Sequence, residues 1–221
     1  MITSTTNGKV KRLTALTHKA KARRNEGVFI AEGIKMVLEA PKDWIQEVYT
    51  AQSFLAKCQN SDNQKNRQLI EALSCYPHET VSDEVYKKIS DTQTPQGVLA
   101  VLRQPQYCLE QAVLEQTHDR QLFFLILENI QDPGNLGTIV RAGEGAGVDG
   151  IIITSASADI FNPKVIRSQW DRFIVCPFIL WKMLWMPLRC CKKIKRRFMR
   201  QIWKWTAKIM TEKIIPVLRR F

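Results

Sequence analysis

Residues 122 to 154 constrain this chain more than any others, because an unbroken apolar run, a glycine-bearing turn, a helical period and a second apolar run succeed one another directly. Leu122 to Leu127 carries no polar side chain, the pattern of a buried strand. Asp132-Pro133-Gly134 makes a turn, Asn135 is placed to cap a helix, and Leu136, Ile139, Val140 and Ala146 recur at helical spacing up to Gly147. Gly150 to Thr154 is the next strand. Strand, turn, helix, strand is a βαβ unit, whose right-handed crossover sets the first loop at the carboxyl edge of a parallel sheet.

A loop in that position commonly serves a phosphate, since backbone N–H groups and a helix N-terminus favour anions. The stretch lacks the dinucleotide-binding glycine spacing and has no Walker lysine, so the residues by themselves define an anion-friendly turn, with Asn135 at its head and Arg141 about two turns on. The string DPGNLGTIVRAGEGAG resembles the first signature of the SpoU/TrmH family of RNA ribose methyltransferases, and ADIFNPKVIRS, Ala158 to Ser168, resembles that family's next conserved stretch.

The resemblance implies a Rossmann-like trefoil-knot (SPOUT) domain that pairs into a homodimer. The implied reaction moves a methyl group from S-adenosylmethionine to a ribose 2′-hydroxyl of ribosomal or transfer RNA. It places Asn135 and Arg141 in the catalytic signature. Arginine hardly ever loses its proton, so Arg141 is expected to clamp the reacting ribose or its phosphate electrostatically. The alternative for Arg141 is an ion pair with Glu144 or Glu128. Lys164 and Arg167 fall in the second stretch, beside the RNA-facing cleft of the family, and are expected to position phosphates without reading sequence.

The first part of the chain reads as a compact α/β domain. Residues 4 to 24 form a polar cap and then one basic helix, with Val10, Leu13 and Leu16 on one side. Lys9, Lys11, Arg12, Lys19, Lys21, Arg23 and Arg24 surround it, which on composition fits a solvated face as well as RNA contact. Strands are expected at Val28 to Ile30, Ile45 to Thr50 and Gly97 to Leu102. Helices are expected at Glu32 to Glu39, with Ile34, Val37 and Leu38 inward, at Gln64 to Ser74 around Leu69, Ile70 and Leu73, and at Asp83 to Ile89. GVFIAEGIKMVLEA and PQGVLAV resemble the start and close of the family's substrate-binding domain, which is of ribosomal-protein type. That tilts Lys9, Lys11, Arg12, Arg23, Arg24 and the Glu32-Gly33 corner towards RNA. The expected architecture is α/β throughout. A substrate-binding domain spans 1 to 103, a linker with a short helical piece around Leu109 to Leu114 spans 104 to 120, and the start of the methyltransferase domain spans 121 to 168.

Other chemistries find little support. His18, His78 and His118 are isolated, no Ser/His/Asp pattern emerges, and Glu128 and Asp132 suit turn formation as well as chemistry. The six cysteines form no CxxC pair, so they read as reduced thiols, and no metal is expected. No apolar run reaches membrane-spanning length and MITSTTNGKVKRL has no signal-peptide core, so a cytoplasmic protein is expected.

The formal charge of +12 is unevenly spread. Residues 1 to 168 hold 19 basic and 19 acidic side chains, whereas residues 169 to 221 hold 14 and 2. Five of the six tryptophans lie after Ser168, and all ten glycines lie at or before Gly150. The resemblance also stops at Ser168, and with it go the family's glycine-rich cofactor loops. Tryptophan and methionine each have one codon, so the tail can be tested against another frame. Joining the last base of each codon to the first two of the next, from Gln169 onwards, permits MGSIYRVPFYIVED, a family-like continuation. A base lost near codon 169 accounts for all of this, and 169 to 221 is expected to be an out-of-frame tail that leaves the sheet short of strands and the cofactor site unfinished. Two other readings exist: a basic amphipathic helix over Cys190 to Ala207 for a membrane surface, an acidic partner or single-stranded RNA, and a non-catalytic RNA-binding protein built on the first 103 residues.

Overall fold

The computed structural model of the chain describes residues 1–107, 123–174, 177–181 and 198–202. The chain divides into two compact units, Met1–Pro105 with Phe161–Arg167, and Gln106–Ile160 with Ser168–Phe221.

In the first unit, Asn7 caps α1 (Gly8–His18) by accepting from the Lys9 N–H at 2.8 Å. Val10, Leu13 and Leu16 are fully buried, as their spacing requires. The single basic helix expected from the sequence is in fact two. At Lys19 the backbone becomes extended (φ −117°, ψ 112°), and α2 (Ala20–Glu26) starts afresh. Side chains hold the break in place. The Thr17 hydroxyl donates to Leu13 O and Ile89 O, and Arg23 Nη1 donates to Leu16 O at 2.6 Å and Thr17 O at 2.9 Å, so carbonyls at the end of α1 are satisfied without a further turn.

The sheet of this unit runs in the order β1 (Val28–Glu32), β4 (Val98–Arg103), β2 (Ile45–Ala51), β3 (His78–Val81). β4 is antiparallel to both β1 and β2, and β3 is parallel to β2. Val98 to Leu102 are all fully buried, which explains why an unalternating apolar run serves as the inner strand. Around the sheet lie α3 (Ile34–Glu39), α4 (Gln52–Gln59), α5 (Gln64–Leu73) and α6 (Asp83–Ile89), the last capped by Ser82. Two of these elements are not evident from the sequence. β3 reads HETV, polar enough to pass for loop, and α4 buries only Cys58, so its apolar period is faint. In α3 the buried residues are Met36 and Val37, while Ile34 and Leu38 are half-buried. Phe161 is also part of this unit, its ring centroid 5.2 Å from that of Phe29.

The second unit contains the expected βαβ, formed by β5 (Phe124–Glu128), α7 (Pro133–Gly145) and β6 (Gly150–Thr154), with β5 and β6 parallel. α7 starts two residues before the expected cap. Asp132 is its N-cap and Pro133 its first residue, whose fixed φ and missing N–H suit that place; Asn135 sits inside the first turn. Its end obeys glycine chemistry: Gly147 takes φ +73°, its N–H donates to Glu144 O, and the Val148 N–H donates to Gly143 O. α8 (Pro163–Phe173) comes after the second loop, and β7 (Phe178–Trp181) and β8 (Phe198–Ile202) complete an all-parallel sheet in the order β7, β6, β5, β8. The region after Ser168 therefore does supply strands. In particular, 198–202 is a strand, not part of a helix over Cys190 to Ala207. The short helical piece around Leu109 to Leu114 lies outside the described residues.

Candidate functional site

The carboxyl ends of β5 and β6 are tied to one another by their loops. Asn129, directly after β5, adopts φ +56°, a conformation that asparagine tolerates better than most residues. Its N–H donates to Thr154 Oγ1 at 3.3 Å, the Ile130 N–H donates to Ser157 Oγ at 3.2 Å, and the Ala158 N–H donates to Ile130 O at 2.6 Å. Gln131 Nε2 adds bonds to Asn129 Oδ1 and Ala156 O. The two loops thus form one cross-linked rim, from which α7 departs with its first-turn N–H groups at the sheet edge.

Asn135 is half-buried in that first turn, while Leu136, Gly137 and Val140 face the core. Arg141 is exposed, six residues on from Asn135, which places it about 9 Å further along the axis. Among the described residues no ion pair holds Arg141, so the suggested pairing with Glu144 or Glu128 is absent. The exposed strip around it consists of Gly134, Thr138, Ala142 and Gly145, side chains too small to cover a guanidinium.

The cations of the first unit fall into two sets. Lys9 pairs with Glu79 at 2.5 Å, and Arg12 bridges Glu26 at 2.7 Å and Glu47 at 2.8 Å. Arg23 is 1% exposed and its guanidinium is spent on helix carbonyls, which removes it from the RNA-contacting residues expected from the sequence. Lys11 and Arg24 are exposed. Lys164 is exposed in the first turn of α8, where its N–H is capped by Asn162 Oδ1 at 2.9 Å, so the Asn162-Pro163 helix start read from the sequence is present. Arg167 is half-buried and lies 3.8 Å from Asp91 Oδ2. Thr17, Glu32, Asp91, Ile166 and Arg167 line a recess of about 10 Å³, room for about one water molecule and not for a nucleotide.

Pairing also shifts protonation. Burial raises the Glu47 carboxyl, but hydrogen bonds from Tyr49 and Arg12 together outweigh it, and the net shift is downwards. Burial and the bond to Glu47 push the Tyr49 hydroxyl well above its usual range. Burial lowers the His78 ring, which sits 2.8 Å from Thr50 Oγ1.

One group is invisible to sequence reasoning. The Glu32 carboxylate is 7% exposed and accepts from Ser90 Oγ, Tyr86 OH, Thr92 Oγ1 and the Gln96 N–H. The Glu32-Gly33 corner and the Asp91 to Gln96 loop both stand out as motifs, but nothing in their spacing joins residues 58 to 64 positions apart. Among the described residues no three His, Cys, Asp or Glu side chains converge as metal ligands would.

Comparison with known proteins gives two family matches in chain order. Residues 7–100 match the MRM3-like substrate binding domain, and residues 122–200 match the SpoU rRNA Methylase family, a match that runs past Ser168. An uncharacterized tRNA/rRNA methyltransferase of Synechocystis is 34% identical over 80% of this chain and 60% of its own length. The 23S rRNA (guanosine(2553)-2′-O)-methyltransferase RlmP of Bacillus subtilis is 31% identical over 80% of this chain and 64% of its own length. The chain thus spans less than two thirds of either relative. Among solved structures, the AdoMet-bound rRNA methyltransferase of Sinorhizobium meliloti superposes with a TM-score of 0.65 at 25% identity, covering 87% of this chain and 67% of that one. The SpoU methyltransferase AviRb of Streptomyces viridochromogenes shares the fold, with a TM-score of 0.69.

Proposed function

This chain belongs to the SpoU rRNA methylase family, and on that footing we propose that its gene specifies a cytoplasmic RNA 2′-O-ribose methyltransferase whose present polypeptide is impaired. The observation that carries the reading is the cross-linked rim at the ends of β5 and β6, with Asn135 and the exposed Arg141 on the helix that leaves it. A ribose hydroxyl that accepts a methyl group must be aligned, must lose its proton, and must have its developing charge stabilised. Asn135 offers an amide at the rim for alignment. Arg141 supplies a permanent positive charge for the ribose or its phosphate, without acting as a base.

RNA is the substrate class, ribosomal before transfer RNA given the names of the relatives. Residues 1 to 103 are assigned to its binding, with Lys11 and Arg24 as phosphate contacts and Lys164 joining them from α8. Residues 104 to 120 are the linker, and 121 to 168 begin the methyltransferase domain. Homodimerisation through this domain is part of the proposal for a chain with the frame restored.

S-adenosylmethionine is the family's methyl donor, and the segments that follow β7 and β8 lie outside the described residues. This sequence has no glycine after Gly150, so the glycine-rich cofactor loops that the resemblance implies are missing from it. No step is therefore assigned through the donor in this chain. Calorimetric titration of S-adenosylmethionine into the purified chain, and into a version with the frame restored from codon 169, tests the proposal. Binding to the restored protein alone supports it; binding to both overturns the claim of impairment, and binding to neither overturns the methyltransferase reading.

A further inference from the structure

We infer that the coding frame changes at Gln169, so that the residues beyond it are not those this fold was selected with, even though Phe178–Trp181 and Phe198–Ile202 still pair as parallel strands and the family match runs to residue 200; this rests on the family reading above. Packing supplies the argument independently of codons. Among the described residues, three buried side-chain nitrogen and oxygen atoms have no hydrogen-bond partner: Gln169 Nε2, Gln169 Oε1 and Trp170 Nε1. All three belong to two adjacent residues, and these are the first two after Ser168.

The contrast with the other described residues is sharp. Arg23 and Glu32, each at least nine-tenths buried, are satisfied by helix carbonyls and by a ring of hydroxyl and N–H donors. Gln169 is 2% exposed and Trp170 3%, so water does not satisfy their polar atoms either. Leaving such groups unpaired carries the full desolvation cost, which the other buried side-chain nitrogen and oxygen atoms among the described residues avoid. The backbone marks the same residue: α8 is helical on either side of Gln169, whose φ −142° and ψ 22° interrupt it.

Codon arithmetic then says what belongs there. Restoring one base ahead of codon 169 makes that codon N-C-A, which encodes only Ser, Thr, Ala or Pro, and the next codons can read Met-Gly-Ser. A small residue and a methionine at the two buried positions carry neither an amide nor an indole, and Gly-Ser suits a chain that is leaving a helix. The same position separates a charge-balanced region from one with 14 basic and 2 acidic side chains. Packing, backbone, composition and codons thus converge on one residue.

The test uses two proteins beside the present chain: Gln169→Met, which keeps the side-chain volume and removes the orphaned amide, and the full frame-restored chain. Thermal unfolding of Gln169→Met is expected at least about 2 °C above the present chain. The restored chain is expected to melt higher still, and its coding DNA to stay open beyond codon 221. A lower melting point for Gln169→Met means the amide is used, and early stops in the other frame exclude it; either result overturns the inference. A restored chain that melts higher yet binds no S-adenosylmethionine upholds the frame and overturns the methyltransferase reading, so the two fail separately.

Discussion

The Ser90 hydroxyl lies 2.9 Å from one oxygen of the Glu32 carboxylate and 2.8 Å from the other, joining the end of β1 to the loop that leads into β4. The carboxylate is buried, and it accepts from hydroxyls and one N–H. Removing it leaves several of these donors unpaired at once. Glu32→Ala is expected to lower the unfolding free energy of the first unit by about 3 kcal/mol, and Glu32→Gln, which keeps one acceptor, by about half as much. Urea denaturation of the full chain, monitored by circular dichroism, measures both.

Two glycines flank the same corner and differ in their surroundings. Gly33 has φ +122° and ψ 150°, a region open only to glycine, and an added Cβ would lie 2.3 Å from Gln96 Oε1, the flexible end of a side chain. Gly97 has φ +83°, and its Cβ would lie 2.4 Å from both Cβ and Cγ of Phe54, which cannot swing away. Gly33→Ala is expected to cost about 2 kcal/mol through backbone strain alone, and Gly97→Ala more, because overpacking adds to it. A reversed order in thermal melts would show that the Gln96 contact is the stiffer of the two.

Acid sensitivity has an identifiable source at His78. Burial favours its neutral ring in the folded state, so its pKa there lies below the ordinary 6.5. As pH falls through 6.5 the unfolded chain takes up a proton that the folded chain refuses, and stability drops until the folded-state pKa is reached. Glu47, whose pKa is also lowered on balance, adds a second loss at more acid pH, below its ordinary 4.5. His78→Gln is expected to flatten the melting profile on the acid side of the ring's ordinary 6.5 while leaving the more acid limb in place. A profile as steep as that of the unaltered chain would assign the effect elsewhere.

Some of this architecture is legible in the sequence, and the rest is hidden for physical reasons. The βαβ unit is readable because β5 is buried on both sides, so its apolar run is continuous, and because Gly147 closes α7 by a conformation few other residues adopt. α6 is readable through Ser82 and its buried Val85, Tyr86 and Ile89. β3 is hidden because its four residues include His78, Glu79 and Thr80, and its place comes from pairing with β2. Arg23 reads as an RNA contact in the sequence because charge on a helix says nothing about which carbonyls a neighbouring helix leaves open. Asn135 reads as a cap, yet Pro133 accepts the first helical position and moves the boundary back. For Gln169 the sequence supplies the suspicion and burial the physical reason.

The sorting of cations into paired and open sets predicts how each governs RNA affinity. A phosphate contact releases a counterion, so its loss lowers the slope of log K against log salt by about 0.9. Lys11→Ala and Arg24→Ala are each expected to weaken binding of a ribosomal RNA fragment and to flatten the slope by about that amount. Arg12→Ala strips Glu26 and Glu47 of their partner, so it is expected to lower stability while the slope holds. Arg23→Ala is expected to destabilise more, because Leu16 O and Thr17 O lose a buried donor. Arg141 on α7 stands apart from both sets, exposed and outside any ion pair among the described residues. In the frame-restored chain, Arg141→Ala is expected to leave the melting temperature in place and to reduce methyl transfer by about 10²- to 10³-fold, the scale of one lost electrostatic contact in the transition state. Filter binding across a salt series, with methyl incorporation on the restored chain, separates these roles. An Arg141→Ala protein that melts lower and transfers as fast as before would return this arginine to a structural role.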